Sequence, residues 1–264
     1  MNELRVGDFT FGNGTPRICV PLIGRTEDEI LNHANLIRSE INRLDAKYKD
    51  NPELKIAVIE WRADFYEQLG NTDKLLEILK RIREIFIDRL LLFTFRSEEQ
   101  GGELRHDRVG GNLEPVMRAA IGSGLIDIVD IEVTCGNYKI ARATTGAHSQ
   151  GVKVLMSYHD TRHTPHDEDL IEKLRDMEIL GGDILKIAVT PKNEFDTRRM
   201  MDLNKRMVSE CFKPVVLISM GEKGVKSRFK CKETGACLTF ATVGQESAPG
   251  QMEAADLIAL LRNQ

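Results

Sequence analysis

The sequence predicts an α/β protein built as a (β/α)8 TIM barrel, with an N-terminal β-hairpin capping the barrel bottom. Three observations carry that expectation. Eight short apolar runs rich in Val, Ile, Leu and Phe recur along the chain, and segments of helical periodicity fill nearly all the intervals between them. The length of 264 residues suits eight such units.

The first stretch, LRVGDFTFGNG from Leu4, alternates in polarity and holds two turn signals, so it reads as the hairpin. The eight strands follow: RICVPL from Arg17, ELKIAVIEW from Glu53, RLLLFTF from Arg89, LIDIVDIEV from Leu125, VKVLMSYH from Val152, DILKIAV from Asp183, PVVLISM from Pro214 and ACLTFAT from Ala236. Helices are expected over 26–48, 72–87, 113–123, 138–150, 167–180 and 194–212, with 251–261 closing the chain. A doubly wound open sheet is the competing arrangement. It fits less well because no strand runs into a G-x-G-x-x-G turn, and Gly12-Asn13-Gly14 leads into no helix. The chain, 1–264, is expected to be one barrel domain.

A hydrophobic content of 41 % is enough for a full core, and a net charge of -4, with basic and acidic residues interspersed, leaves no footprint for nucleic acid or an anionic membrane. The five cysteines form no C-x-x-C pair, and their odd number argues against a complete disulfide framework. The N-terminus shows no basic, then apolar, leader pattern, and no apolar run approaches the roughly 18 residues of a membrane helix. A cytoplasmic protein with reduced thiols is expected, in which the sequon at Asn13 means little.

In such a barrel, chemistry sits at the C-terminal strand ends, and alternate side chains face the lumen. In DILKIAV, Ile184, Lys186 and Ala188 share one face, while the uniformly aliphatic Leu185, Ile187 and Val189 share the other, so Lys186 points into the lumen. The same parity groups Glu60 with Arg62, Thr94 with Arg96, and His159 with Ser157, and it sends Asp130 and Glu132 out of the fourth strand. Barrel-lining ion pairs would explain the carboxylates and arginines singly, and a structural role would explain a lone histidine. A buried lysine beside a histidine supports a further reading: the amine condenses with a ketone, and the imidazole removes the acidified α-proton. A metal site in HDTRHTPH is disfavoured because Pro165 makes the segment a loop. No G-x-S-x-G elbow and no phosphate-binding glycine loop is present.

The segments IEWRAD (59–64), LLFTFRS (91–97) with GGE (101–103), MSYHD with TP (156–165), LKIAVTP (185–191), ISMGEKGVKSR (218–228) and SAPGQ (247–251) resemble type I 3-dehydroquinate dehydratase over nearly the whole chain. The resemblance implies a hydro-lyase of aromatic amino acid (shikimate-pathway) biosynthesis that converts 3-dehydroquinate to 3-dehydroshikimate. It works through a lysine Schiff base, needs no metal or other cofactor, and is housed in a homodimer. Carried over by motif, Lys186 is the Schiff-base lysine and His159 the general base. Arg228 holds the substrate carboxylate from a glycine-bearing loop able to close, and Glu60, Arg62, Arg96, Ser247 and Gln251 bind substrate hydroxyls or order the site.

Three positions depart from the family pattern. Gln100 stands where a glutamate usually orients the histidine, which should leave the imidazolium less favoured, with Glu99 as a candidate substitute. Tyr158 replaces a common asparagine and should act through packing. The segment FKCKETGAC after Arg228 is unusually polar and reads as a solvated turn. The alternatives are a class I aldolase or transaldolase, which would lack the TFRS and SAPGQ set, and a catalytically impaired ligand-binding relative, which would have no need of Lys186 or His159.

Overall fold

The computed structural model describes residues 2–103 and 113–263. Strands β1 (Leu4–Val6) and β2 (Phe9–Phe11) form an antiparallel hairpin. Eight parallel strands follow: β3 (Arg17–Leu22), β4 (Ile56–Arg62), β5 (Leu90–Thr94), β6 (Ile128–Glu132), β7 (Lys153–Asp160), β8 (Ile184–Val189), β9 (Val215–Ser219) and β10 (Leu238–Phe240). They pair in sequence order from β3 to β9, and β10 returns to β3 with Leu238 opposite Arg17. Across the remaining seam the Cys237 N–H donates to Val215 O at 3.0 Å. The expected barrel is therefore the observed one.

Every residue of β4, β6, β8 and β9 is buried, as befits strands with side chains in the lumen on one face and helices on the other. The outer layer comprises α1 (Glu27–Lys47), α2 (Thr72–Ile85), α3 (Glu114–Gly122), α4 (Asn137–Ser149), α5 (Asp167–Ile179), α6 (Glu194–Glu210), α7 (Val225–Phe229), α8 (Cys231–Thr234) and α9 (Ala254–Arg262). Helix α1 shows why these segments coil. Ile30, Ala34, Ile37, Ile41 and Leu44 recur at helical spacing and are buried, and the Thr26 hydroxyl caps the first turn by accepting the Glu29 N–H. On the sheet's outer face Trp61 meets Phe93 edge to face at 5.6 Å.

The hairpin lies against the N-terminal strand ends, with Gly7 facing Leu90, Gly12 facing Pro214 and Arg17 Nε donating to Thr10 O at 2.7 Å. Phe11 is completely buried there. The larger departure from expectation is 225–234. Instead of a closable loop and a solvated turn, the chain forms α7 and α8, with Arg228, Cys231 and Thr234 buried. Helices of five and four residues are too short to show a hydrophobic period. What fixes α7 is tertiary: Ser227 Oγ accepts the Ser219 N–H at the end of β9.

Candidate active site

At the C-terminal mouth of the barrel a cavity of about 360 Å³ brings together all nine residues singled out from the sequence: Glu60, Arg62, Arg96, Gln100, His159, Lys186, Arg228, Ser247 and Gln251. They come from six of the eight strands or the segments that follow them, so the barrel assembles them.

Lys186 lies mid-strand in β8 with a relative exposure of 5 %. Among the described residues its Nζ forms neither a hydrogen bond nor an ion pair, and it sits 4.2 Å from the centroid of the Phe240 ring. Burial lowers its pKa from the ordinary lysine value; Glu60 pulls the other way and Arg96 adds to the lowering. Lys186 thus presents a buried amine to the lumen with no counterion in contact among the described residues.

His159 stands on β7, two residues beyond Ser157, which is the register partner of Lys186. That is one inward-facing layer nearer the mouth. Gln100 meets it from the turn after β5: its Oε1 accepts the His159 backbone N–H at 2.7 Å and lies 3.1 Å from Nδ1, while its Nε2 donates to Thr134 Oγ1 at 2.8 Å. The backbone N–H fixes which amide atom faces the ring. An amide oxygen only accepts, so Nδ1 carries the proton and Nε2 keeps its lone pair for the cavity. Burial, followed by the positive charges of Arg96, Lys186 and Arg62, depresses the His159 pKa well below the usual imidazole value. It is Gln100 itself that meets the ring; Glu99, considered above as a substitute, is exposed. Tyr158 faces the helix layer, where Lys173 Nζ stacks 4.4 Å from its ring, in keeping with a packing role.

Arg96 is fully enclosed by acceptors. Its guanidinium donates to Asp130 at 2.6 Å, Glu132 at 2.8 Å and Ser157 at 2.9 Å, and Asp130 also accepts from Ser157 at 2.6 Å. The ion-pair reading of the β6 carboxylates therefore holds: they anchor a cation at the back of the cavity. For Glu60 and Arg62 the partners differ from those the sequence suggested. Glu60 accepts from Thr94 at 3.0 Å, whereas Arg62 makes paired bonds to Asp64 at 2.8 and 2.7 Å and a third to Ser247 O at 3.2 Å. Asp64, within the EWR-D motif but not singled out above, is wholly buried and also accepts the Glu103 N–H at 3.0 Å. It ties the turn after β5 to the arginine that pins segment 247–251. The missed signal was its place two residues after Arg62.

Segment 247–251 is internally braced, Gln251 Oε1 accepting the Ser247 N–H at 2.9 Å. It is laid so closely on the turn after β9 that a Cβ at Gly250, whose φ is +77°, would come within 2.5 Å of Gly221 O. Beneath it Arg228 is buried, yet its Nε has no partner among the described residues, and a 3.4 Å contact to Pro249 O is the hydrogen bond its terminal nitrogens make. Burial, partly opposed by Glu246, pulls its pKa down to about 10, which still leaves a cation at neutral pH. A buried, under-satisfied guanidinium facing a cavity has hydrogen-bonding capacity left for an anion. Of the neighbouring histidines, His163 is half exposed and pairs with Asp160. Among the described residues no cluster of His, Cys, Asp and Glu is placed to hold a metal ion.

Fold and site together define a class: a (β/α)8-barrel enzyme with a buried lysine, a lone-pair-bearing histidine and a buried, under-satisfied arginine around one cavity at the strand C-termini. Residues 18–264 match the family model for type I 3-dehydroquinase. The chain is 36 % identical to the 3-dehydroquinate dehydratase of Salmonella paratyphi B, over 99 % of this chain and 98 % of that one. To that of Listeria innocua it is 34 % identical, over 97 % and 96 %. Among solved structures, the type I 3-dehydroquinate dehydratase of Clostridium difficile, with covalent modified comenic acid, superposes with a TM-score of 0.86 at 33 % identity, covering 99 % of this chain and 97 % of that one. The chain belongs to the type I 3-dehydroquinase family.

Proposed function

We propose that the protein dehydrates 3-dehydroquinate to 3-dehydroshikimate through an imine on Lys186. The observation that carries the reading is the buried Lys186 amine, free of ion pairs among the described residues and within one cavity with His159 and Arg228. Arg228 receives the substrate carboxylate, and Lys186 attacks the ketone. The resulting protonated imine, formed with loss of the carbonyl oxygen as water, acidifies the neighbouring C2 proton, which His159 Nε2 removes; the same group then returns a proton as the C1 hydroxyl leaves as water, and a further water hydrolyses the imine to free 3-dehydroshikimate and the Lys186 amine. Glu60, Ser247 and Gln251 present polar atoms for the ring hydroxyls, and Arg62 and Arg96 hold the wall in place. The substrate's own ketone serves as the electron sink, so activity is expected to be insensitive to a chelator.

With this reading go a shikimate-pathway role in the cytoplasm, a single catalytic domain and a homodimer, which light scattering of the purified chain would check. No described helix is long and apolar enough to cross a membrane. The decisive experiment is intact-protein mass spectrometry after incubation with 3-dehydroquinate and borohydride, with product absorbance followed in parallel without reductant. An adduct mapping to Lys186 and absent from Lys186→Ala, together with turnover, supports the reading. The absence of both adduct and turnover would sink it.

A further inference from the structure

Phe240 closes β10, opposite Cys19 in register, with a relative exposure of 3 %. Its neighbour Thr239 turns outward to donate to Arg228 O at 2.8 Å, and the Phe240 ring lines the cavity. Lys186 Nζ stands 4.2 Å from the ring centroid, inside the range at which an aromatic face attracts a cation. The ring is set on a strand, so the contact does not depend on a loop closing.

What the ring can contribute follows from the charge on the nitrogen it touches. A neutral amine, a ketone and one proton give a cationic imine and one molecule of water: the C–N bond forms, the C–O bond breaks, and the carbonyl oxygen leaves as that water. The nitrogen is the same atom before and after. A π face attracts it far more when it is cationic than when it is neutral. The carboxylates around it are engaged elsewhere and act only at a distance: Glu60 is bonded to Thr94 and Asp130 to Arg96 and Ser157, while Arg96 disfavours a second cation. A carboxylate touching Nζ would hold the resting amine as ammonium and compete with its attack; an aromatic ring favours the cation more weakly, the ammonium included, so its gain on imine formation counts from the neutral amine.

We propose that Phe240 is a further catalytic residue, whose ring face stabilises the positive charge on the Lys186 nitrogen when it condenses with a ketone. The proposal rests on the imine reading above. Incorporating 4-fluoro-, 3,5-difluoro- and 3,4,5-trifluorophenylalanine at position 240 drains the ring face stepwise while nearly preserving its shape. Two readouts follow across the series. Without substrate, the ¹³Cε resonance of isotopically labelled Lys186 reports its titration. With 3-dehydroquinate, single-turnover rates and the borohydride-trapped fraction report the imine.

A monotonic fall is expected in both, in total about 3- to 10-fold in the imine equilibrium from phenylalanine to the trifluoro ring. Phe240→Leu, which keeps apolar bulk, should fall at or below the end of the series. A flat series in the substrate-free titration overturns the proposal, since a ring that only packs would be indifferent to fluorine. A graded titration with a flat imine series would also overturn the catalytic role. Complete absence of an adduct alongside a graded titration would instead overturn the imine reading, and the catalytic role of Phe240 with it, while leaving the contact itself established.

Discussion

Replacing Lys186 with alanine keeps the apolar packing of β8 and removes the amine, so turnover is expected to fall by at least about 10³-fold while the circular dichroism spectrum is unchanged. At Arg228, leucine removes a charge-assisted contact to the substrate; KM for 3-dehydroquinate is expected to rise roughly 10- to 100-fold, more than kcat falls. The pH profile belongs to His159. Its pKa is depressed, so it stays an unprotonated base on going down through the ordinary imidazole value of about 6.5, and the acid limb of kcat/KM should lie below that value. Gln100→Glu places a negative charge beside Nδ1–H, favours the imidazolium and should move the limb upward; an unmoved profile would count against the tautomer assignment. Parity along apolar runs was enough to aim Lys186, Glu60 and His159 at the lumen. Asp64 lay within reach of the same spacing, two residues after Arg62, whereas Thr134 escaped it because its partner Gln100 arrives from a turn whose path no periodicity encodes.

For the secondary-structure elements, the same divide between local and tertiary causes explains what could be foreseen. Seven helices and eight strands announce themselves because each buries a periodic face, and the observed ends differ from the expected ones by a few residues where Pro52 and neighbouring turns delay a strand. Helices α7 and α8 are held by contacts such as Ser227 with Ser219, and nothing in their own nine residues declares them. The turn after β5 offers a test of how tightly an element is fixed. A Cβ at Gly102 would fall 2.0 Å from Arg96 O, so Gly102→Ala must displace the turn that carries Gln100. A loss of about 2 kcal/mol or more is expected in denaturant unfolding, with His159 losing its tautomer preference in ¹⁵N spectra. Stability and spectrum unchanged from the parent protein would mean the turn is more pliant than its packing implies.

Across the whole molecule, stability and chemistry are placed at opposite ends of the barrel. Phe11 is fully buried at the bottom, remote from the cavity, so Phe11→Ala should cost about 3–5 kcal/mol and lower Tm by roughly 6–15 °C, with kcat and KM at low temperature left nearly intact. A large change in KM would show that the two ends communicate. The hairpin that supplies Phe11 also has a history during synthesis. Its first residues meet Cys211 and Pro214, some two hundred positions later in the chain. At about 5–20 residues per second, a ribosome needs on the order of 10–40 s to make that partner surface. The hairpin is therefore made early and docked late, and through that interval an apolar ring waits in water, where a chaperone has both the time and the target to hold it.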